Sequence, residues 1–147
     1  PETVARLAEI ENIVAVKEST GDMRRASDIM QLCGESITLL SGDDFTSFPL
    51  LCLGGRGMIS VVSNILPAAV AKMCRAARDG DWDTARAQHY AIMPMSSLLF
   101  IESNPIPVKA AMHLLGKMEK EIRLPLTPAS EETNARLRSA LQAEGLL

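Results

Sequence analysis

The chain has 147 residues, with 15 basic and 18 acidic side chains mixed along its length; the formal charge of −3 and the lack of a basic stripe argue against nucleic acid as a partner. No apolar run approaches the ~18 residues of a membrane span, and 3% aromatic residues leave little for a base-stacking surface. Pro1-Glu2-Thr3 lacks the features of a secretory leader, and the three scattered cysteines, Cys33, Cys52 and Cys74, read as reduced core thiols, so a cytoplasmic protein is expected.

In chain order, Val4, Leu7, Ala8 and Ile10 give a helical stripe over residues 2–11. The run Ile13-Val14-Ala15-Val16-Lys17 follows, and its β-branched character predicts a strand buried on both faces, as in a parallel sheet. Ser19-Thr20-Gly21-Asp22 reads as a tight loop and helix cap. The next helix, over about 22–32, carries Met23, Ala26, Ile29 and Met30 on one side and stops at Gly34. A second strand is predicted over 36–41. Ser41-Gly42-Asp43-Asp44 then turns the chain, and either aspartate could cap a helix over 44–53 with Phe45, Phe48, Leu51 and Cys52 as its stripe. Met58 to Val62 reads as a third strand, closed by Ser63-Asn64.

Strand, small polar loop and amphipathic helix thus recur through residues 1–65, which predicts parallel strands joined by right-handed crossovers. From residue 66 to 147 the pattern is helical. Helices are expected over 67–77, from 81 or 83 to about 101 with a kink at Pro94, over 108–115, and after a Ser130 cap. Ser103 to Pro107 reads as a stiff linker, and 122–128 as an extended, proline-bounded segment. Three parallel strands alone leave both sheet edges unpaired, whereas a complete (β/α)8 barrel needs roughly 250 residues. The expected fold class is therefore α/β: the C-terminal half of a (β/α)8 TIM barrel, about strands six to eight, followed by an all-α extension.

Lys17 is the first candidate for chemistry. It stands where an apolar strand gives way to a polar loop, which in parallel β/α proteins is the catalytic rim. An amine partly stripped of water there could attack a ketone and form a Schiff base. The same lysine could instead mark the strand end and reach out to water; these residues alone leave both readings open. His89 and His113 stand singly in helical patterns with no Cys or carboxylate at ligand spacing, so no metal site is expected.

Five segments, Val16 to Asp22, Leu40 to Asp44, Gly57 to Val61, Asn104 to Lys109 and Arg123 to Pro128, stand together in an order and at a spacing that are familiar. Through them the chain closely resembles the dihydrodipicolinate synthase family of pyruvate-dependent class I aldolases, over essentially its whole length. The resemblance implies that Lys17 forms the imine with pyruvate and that the enamine attacks L-aspartate-4-semialdehyde. It also implies that Ile59 lines the pyruvate site through its main chain and that Gly42 leaves room near that ligand. No cofactor is implied beyond the covalent imine, and a homotetramer built as a dimer of dimers is. The family's tyrosine relay, carboxylate site and semialdehyde-binding arginine lie earlier in the chain than these segments, so the resemblance implies that a missing N-terminal half is required. Other readings are N-acetylneuraminate lyase or another pyruvate aldolase, and a non-catalytic barrel relative.

Overall fold

The computed structural model describes all 147 residues. Helix α1 (Glu2–Ala8) leads into β1 (Ala15–Glu18), α2 (Met23–Cys33), β2 (Thr38–Ser41), α3 (Ser47–Cys52) and the two-residue β3 (Gly57–Met58). Four helices follow: α4 (Pro67–Arg78), α5 (Trp82–Leu98), α6 (Ile106–Leu114) and α7 (Glu131–Ala143). The strands form one sheet in the order β1-β2-β3, parallel throughout, with Lys17 opposite Leu40, Glu18 opposite Ser41, and Ser41 opposite Met58.

Most helix ends follow the local chemistry. Asp22 caps α2 by accepting from the N–H groups of Arg24 and Arg25, and Gly34 ends it at φ 54°. Asp81 accepts from Thr84 N–H at the start of α5, and Ser130 from Thr133 N–H at the start of α7. Helix α5 passes through Pro94 unbroken.

Several expectations need correction. The first strand is not buried on both faces: Val16 and Glu18 point to the covered side, while Ala15 and Lys17 are exposed on the other and Val14 is 68% exposed. Alternation along a strand gives two faces, and this chain has elements to cover one of them. The first helix ends at Ala8, short of residue 11. The second strand starts at Thr38, after a short 3-10 turn over Gly34–Ser36. The helix expected from 44 begins at Ser47, and neither Asp43 nor Asp44 is its cap residue. Its buried side chains are Ser47, Leu50 and Leu51, while Phe45 and Cys52 are exposed, so Cys52 is not a core thiol. The third strand stops at Met58, and Val62–Asn64 forms a 3-10 turn. Helix α6 starts at Ile106 within the predicted linker; Pro107 fits because an early helical position needs no amide donor. Helix α5 ends at Leu98 rather than near 101.

Two apolar clusters hold the elements together. Ala26, Ile29, Cys33, Ile37, Leu39 and Leu50 seal α2 and α3 against the covered side of the sheet. A larger cluster, with Val62, Met73, Ile92, Leu99, Ala111 and Leu137 among its members, joins the end of the sheet to α4–α7. No helix is long and apolar enough to cross a membrane.

His89, on α5, stacks on Phe48 of α3 with ring centroids 5.4 Å apart, and its Nδ1 is buried without a partner. Burial pushes its pKa below the ordinary 6.5. The neutral ring is thus favoured by folding, so its stability contribution is intact above pH 6.5 and is lost as pH falls through the lower folded value. Unfolding midpoints measured across this range should show an acid-side loss that His89→Phe flattens; an unchanged slope would assign the loss to other groups.

Candidate active site

The parallel register brings three strand ends level. Beyond the strands proper the ladder continues: Gly42 N–H donates to the Glu18 carbonyl at 2.6 Å, and Ile59 N–H to the Ser41 carbonyl at 2.7 Å. Lys17, Gly42 and Ile59, the three residues singled out from the sequence, line one cavity of about 430 Å³. Its volume is in the range of small-molecule sites. The opposite wall includes Phe100, Asn104, Val108 and Lys109, so the segment leading into α6 and its first turns lie across the strand ends. The sequence reading gave none of these four a role. Asn104 and Lys109 belong to one of the five quoted segments, which was the available signal, but their placement opposite Lys17 depends on how α6 packs.

The loop after β2 is rigidly tied. Ser41 Oγ donates to the Asp43 carbonyl at 2.9 Å, and Asp43 accepts from Thr46 N–H at 3.0 Å and from the Thr46 hydroxyl at 2.6 Å. Ser47 Oγ donates to the Asp43 carbonyl at 2.6 Å and lies 3.0 Å from Ser41 Oγ. Gly42 sits within this lattice. A Cβ placed on it would collide with Ser19 Oγ and with Cε of Lys17, and would stand 2.9 Å from Lys17 Cγ. In this chain the stem of Lys17 and Ser19 occupy the space that a side chain at Gly42 would need.

Ile59 is 49% exposed, and its side chain is not part of either apolar cluster. Lys17 is also exposed, so these residues alone do not furnish the water-stripped amine expected of a strand end. Glu18, absent from the sequence-based candidates, faces the covered side at 5% exposure; its Oε1 accepts from Thr20 N–H at 3.0 Å and from the Thr20 hydroxyl, and its Oε2 is buried without a partner. Tyr90 is 67% exposed on α5 and is not among the residues lining the cavity. No three His, Cys, Asp or Glu side chains converge as metal ligands.

Residues 1–144 match the family model described as the dihydrodipicolinate synthetase family. The chain belongs to that family. A 4-hydroxy-tetrahydrodipicolinate synthase of Syntrophobacter fumaroxidans is 51% identical over 148 aligned residues, covering 100% of this chain and 51% of the relative. The crystal structure of dihydrodipicolinate synthase from Aquifex aeolicus superposes with a TM-score of 0.95 at 48% identity, covering 99% of this chain and 50% of that one. The chloride-inhibited dihydrodipicolinate synthase from Acinetobacter baumannii, solved in complex with pyruvate, matches with a TM-score of 0.94 at 42% identity, again over 99% of this chain and 50% of the other. The chain thus spans about half the length of the relatives it matches. The family assignment accounts for the five quoted segments and for the parallel α/β architecture.

Because Gly42 has no space for a side chain, Gly42→Ala in the full-length protein is expected to displace the stem of Lys17. A misplacement on the order of 1 Å at reacting groups costs about a hundredfold, so kcat/KM should fall by about that factor with little change in melting temperature. Near wild-type kinetics would show that the lysine is not held by this contact.

Proposed function

We propose that this chain is the C-terminal half of a (β/α)8-barrel 4-hydroxy-tetrahydrodipicolinate synthase, contributing strands six to eight and a helical extension. Residues 1–65 form the partial barrel, and residues 66–147 supply its last helix and the helical region. In this reading the whole enzyme condenses pyruvate with L-aspartate-4-semialdehyde in the cytoplasm, as a homotetramer, on the route to diaminopimelate and lysine. The observation that carries the reading is Lys17 at the C-terminal end of a parallel strand, on the uncovered face of the sheet, in the cavity that Gly42 and Ile59 also line.

The chemistry follows from the amine. Neutral Lys17 Nζ adds to the pyruvate ketone, and the carbinolamine loses water to give an imine. The imine draws electrons from the adjacent methyl group, so a methyl proton can leave and an enamine forms. The enamine carbon bonds to the aldehyde carbon, whose oxygen takes up a proton; the amino group of the semialdehyde then adds to the imine carbon, closing the ring and expelling the lysine amine. The main chain at Ile59 lines the pyruvate end of the site, and Gly42 keeps the lysine stem in place. The proton carrier and the groups that hold two carboxylates belong, in this reading, to the other half of the barrel.

Two features of the chain support a missing half. The sheet presents Ala15 and Lys17 on an uncovered face, and the outer edges of β1 and β3 are unpaired, whereas parallel sheets are normally covered on both faces. The accessible surface is 8673 Å² for 15.9 kDa, against about 7,300 Å² for a compact monomer of that mass. The excess is on the scale of one partner's share of a stable interface.

The refolded 147-residue chain should therefore show no measurable condensation in a coupled assay, and robust turnover would sink the half-barrel reading. In the full-length protein, pyruvate and borohydride should leave one reduced adduct on Lys17, located by peptide mass spectrometry, and Lys17→Ala should abolish it. An adduct that survives on Lys109, the second lysine of the cavity, would reassign the nucleophile.

A further inference from the structure

Asp44 is the most completely buried carboxylate of the chain, at 1% exposure, and the chemistry described above does not use it. No lysine or arginine forms an ion pair with it; the ion pairs of the chain lie elsewhere. Its charge is met instead by three donors from a segment 16 to 18 residues away. Oδ2 accepts from Val61 N–H at 2.9 Å and from Val62 N–H at 3.1 Å, and Oδ1 accepts a short hydrogen bond from the Ser60 hydroxyl. Ser60 Oγ in turn accepts from Ser63 N–H at 2.8 Å. On the other side of Ile59, its own N–H is tied to the Ser41 carbonyl at 2.7 Å. The main chain of Ile59 is thus held between two anchors, Ser41 at the end of β2 and Asp44 in the loop that follows it, and the sheet itself has already ended at Met58.

A two-residue strand does not by itself fix the peptide that follows it. A buried carboxylate that satisfies consecutive backbone amides does, because leaving those amides unpaired in a dry site costs more than the bonds themselves contribute. From this we infer that Asp44 is a positioning residue for the pyruvate end of the site: it sets the course of Ile59-Ser60-Val61, three residues that line the cavity containing Lys17. It does so as a hydrogen-bond acceptor and not as an acid or base. The inference rests on the reading of Lys17 and Ile59 given above.

The acceptor role separates two substitutions that a proton-transfer role would not. Asp44→Asn can keep Oδ1 on the Val61 and Val62 amides and turn its NH2 toward Ser60 Oγ, so most of the clamp survives without the charge. Asp44→Ala removes all three bonds. In the full-length enzyme, Asp44→Ala is expected to raise the pyruvate KM by roughly tenfold or more. Borohydride trapping on Lys17 at saturating pyruvate should persist, and the pH profile of kcat should keep its shape. Asp44→Asn should remain within about threefold of the parent in pyruvate KM. If the alanine variant does not fold, Asp44→Ser replaces it; serine keeps an acceptor but is too short to span all three donors, so its pyruvate KM should rise above that of the asparagine variant.

An unchanged pyruvate KM in folded Asp44→Ala or Asp44→Ser overturns the inference. Equal impairment of the asparagine and alanine variants with a shifted pH profile overturns it in favour of a proton-transfer role. The parent enzyme, trapped in parallel with Lys17→Ala, keeps the two questions apart: absence of a Lys17 adduct in the parent counts against the imine reading, whereas a normal adduct with an unaltered KM counts against Asp44 alone.

Discussion

Parallel pairing of three short strands is the constraint on which the rest of the structure depends. Lys17, Gly42 and Ile59 are separated by 25 and 17 positions along the chain, yet the register sets them at the same end of neighbouring strands. The ladder is extended past the strands by Gly42 N–H to Glu18 and Ile59 N–H to Ser41. Each crossover helix returns the chain to the opposite end of the sheet, so all the strand-end loops gather on one rim. A slip of one residue in β1 would exchange Lys17 for Glu18, moving the amine to the covered face and a carboxylate to the cavity.

The rim is held by side chains that do not themselves line the cavity. Asp43 ties Thr46, Ser47 ties the Asp43 carbonyl, and Asp44 ties Ser60, Val61 and Val62. Small and polar residues suit this work because their short side chains reach backbone groups one turn away without filling the site. The density of hydrogen bonds between 41 and 64 contrasts with the open face of the sheet beside it, where Ala15 and Lys17 are exposed. Local order at the rim and an incomplete enclosure therefore coexist in this chain.

Much of the fold was legible from periodicity and punctuation. The helical stripe of α2, its Asp22 cap and Gly34 stop, and the Ser130 cap of α7 are local features, and the structure contains them. The alternation of strands and helices through residue 65 gave the parallel sheet. What failed depended on partners distant in sequence. The apolar run from Ile13 carries no mark of how many of its faces have a neighbour to pack against. Asp44 reads as a helix cap because aspartate before an apolar stripe usually is one; its donors lie at 60–62, beyond any local pattern. Cys52 reads as core on composition, but the turn of α3 directs Leu50 and Leu51 inward and leaves it exposed.

By itself, the sequence determined the family, the identity of the candidate amine and the strand–loop–helix rhythm that places it at a strand end, because these are encoded in contiguous motifs and short-range periodicity. Only the tertiary structure decided that the stem of Lys17 fills the space left by Gly42, that the start of α6 forms the facing wall of the cavity, and that a buried carboxylate fixes the backbone beyond β3. Each of these is a contact between segments far apart along the chain, set by strand register and helix packing rather than by any residue's own propensity.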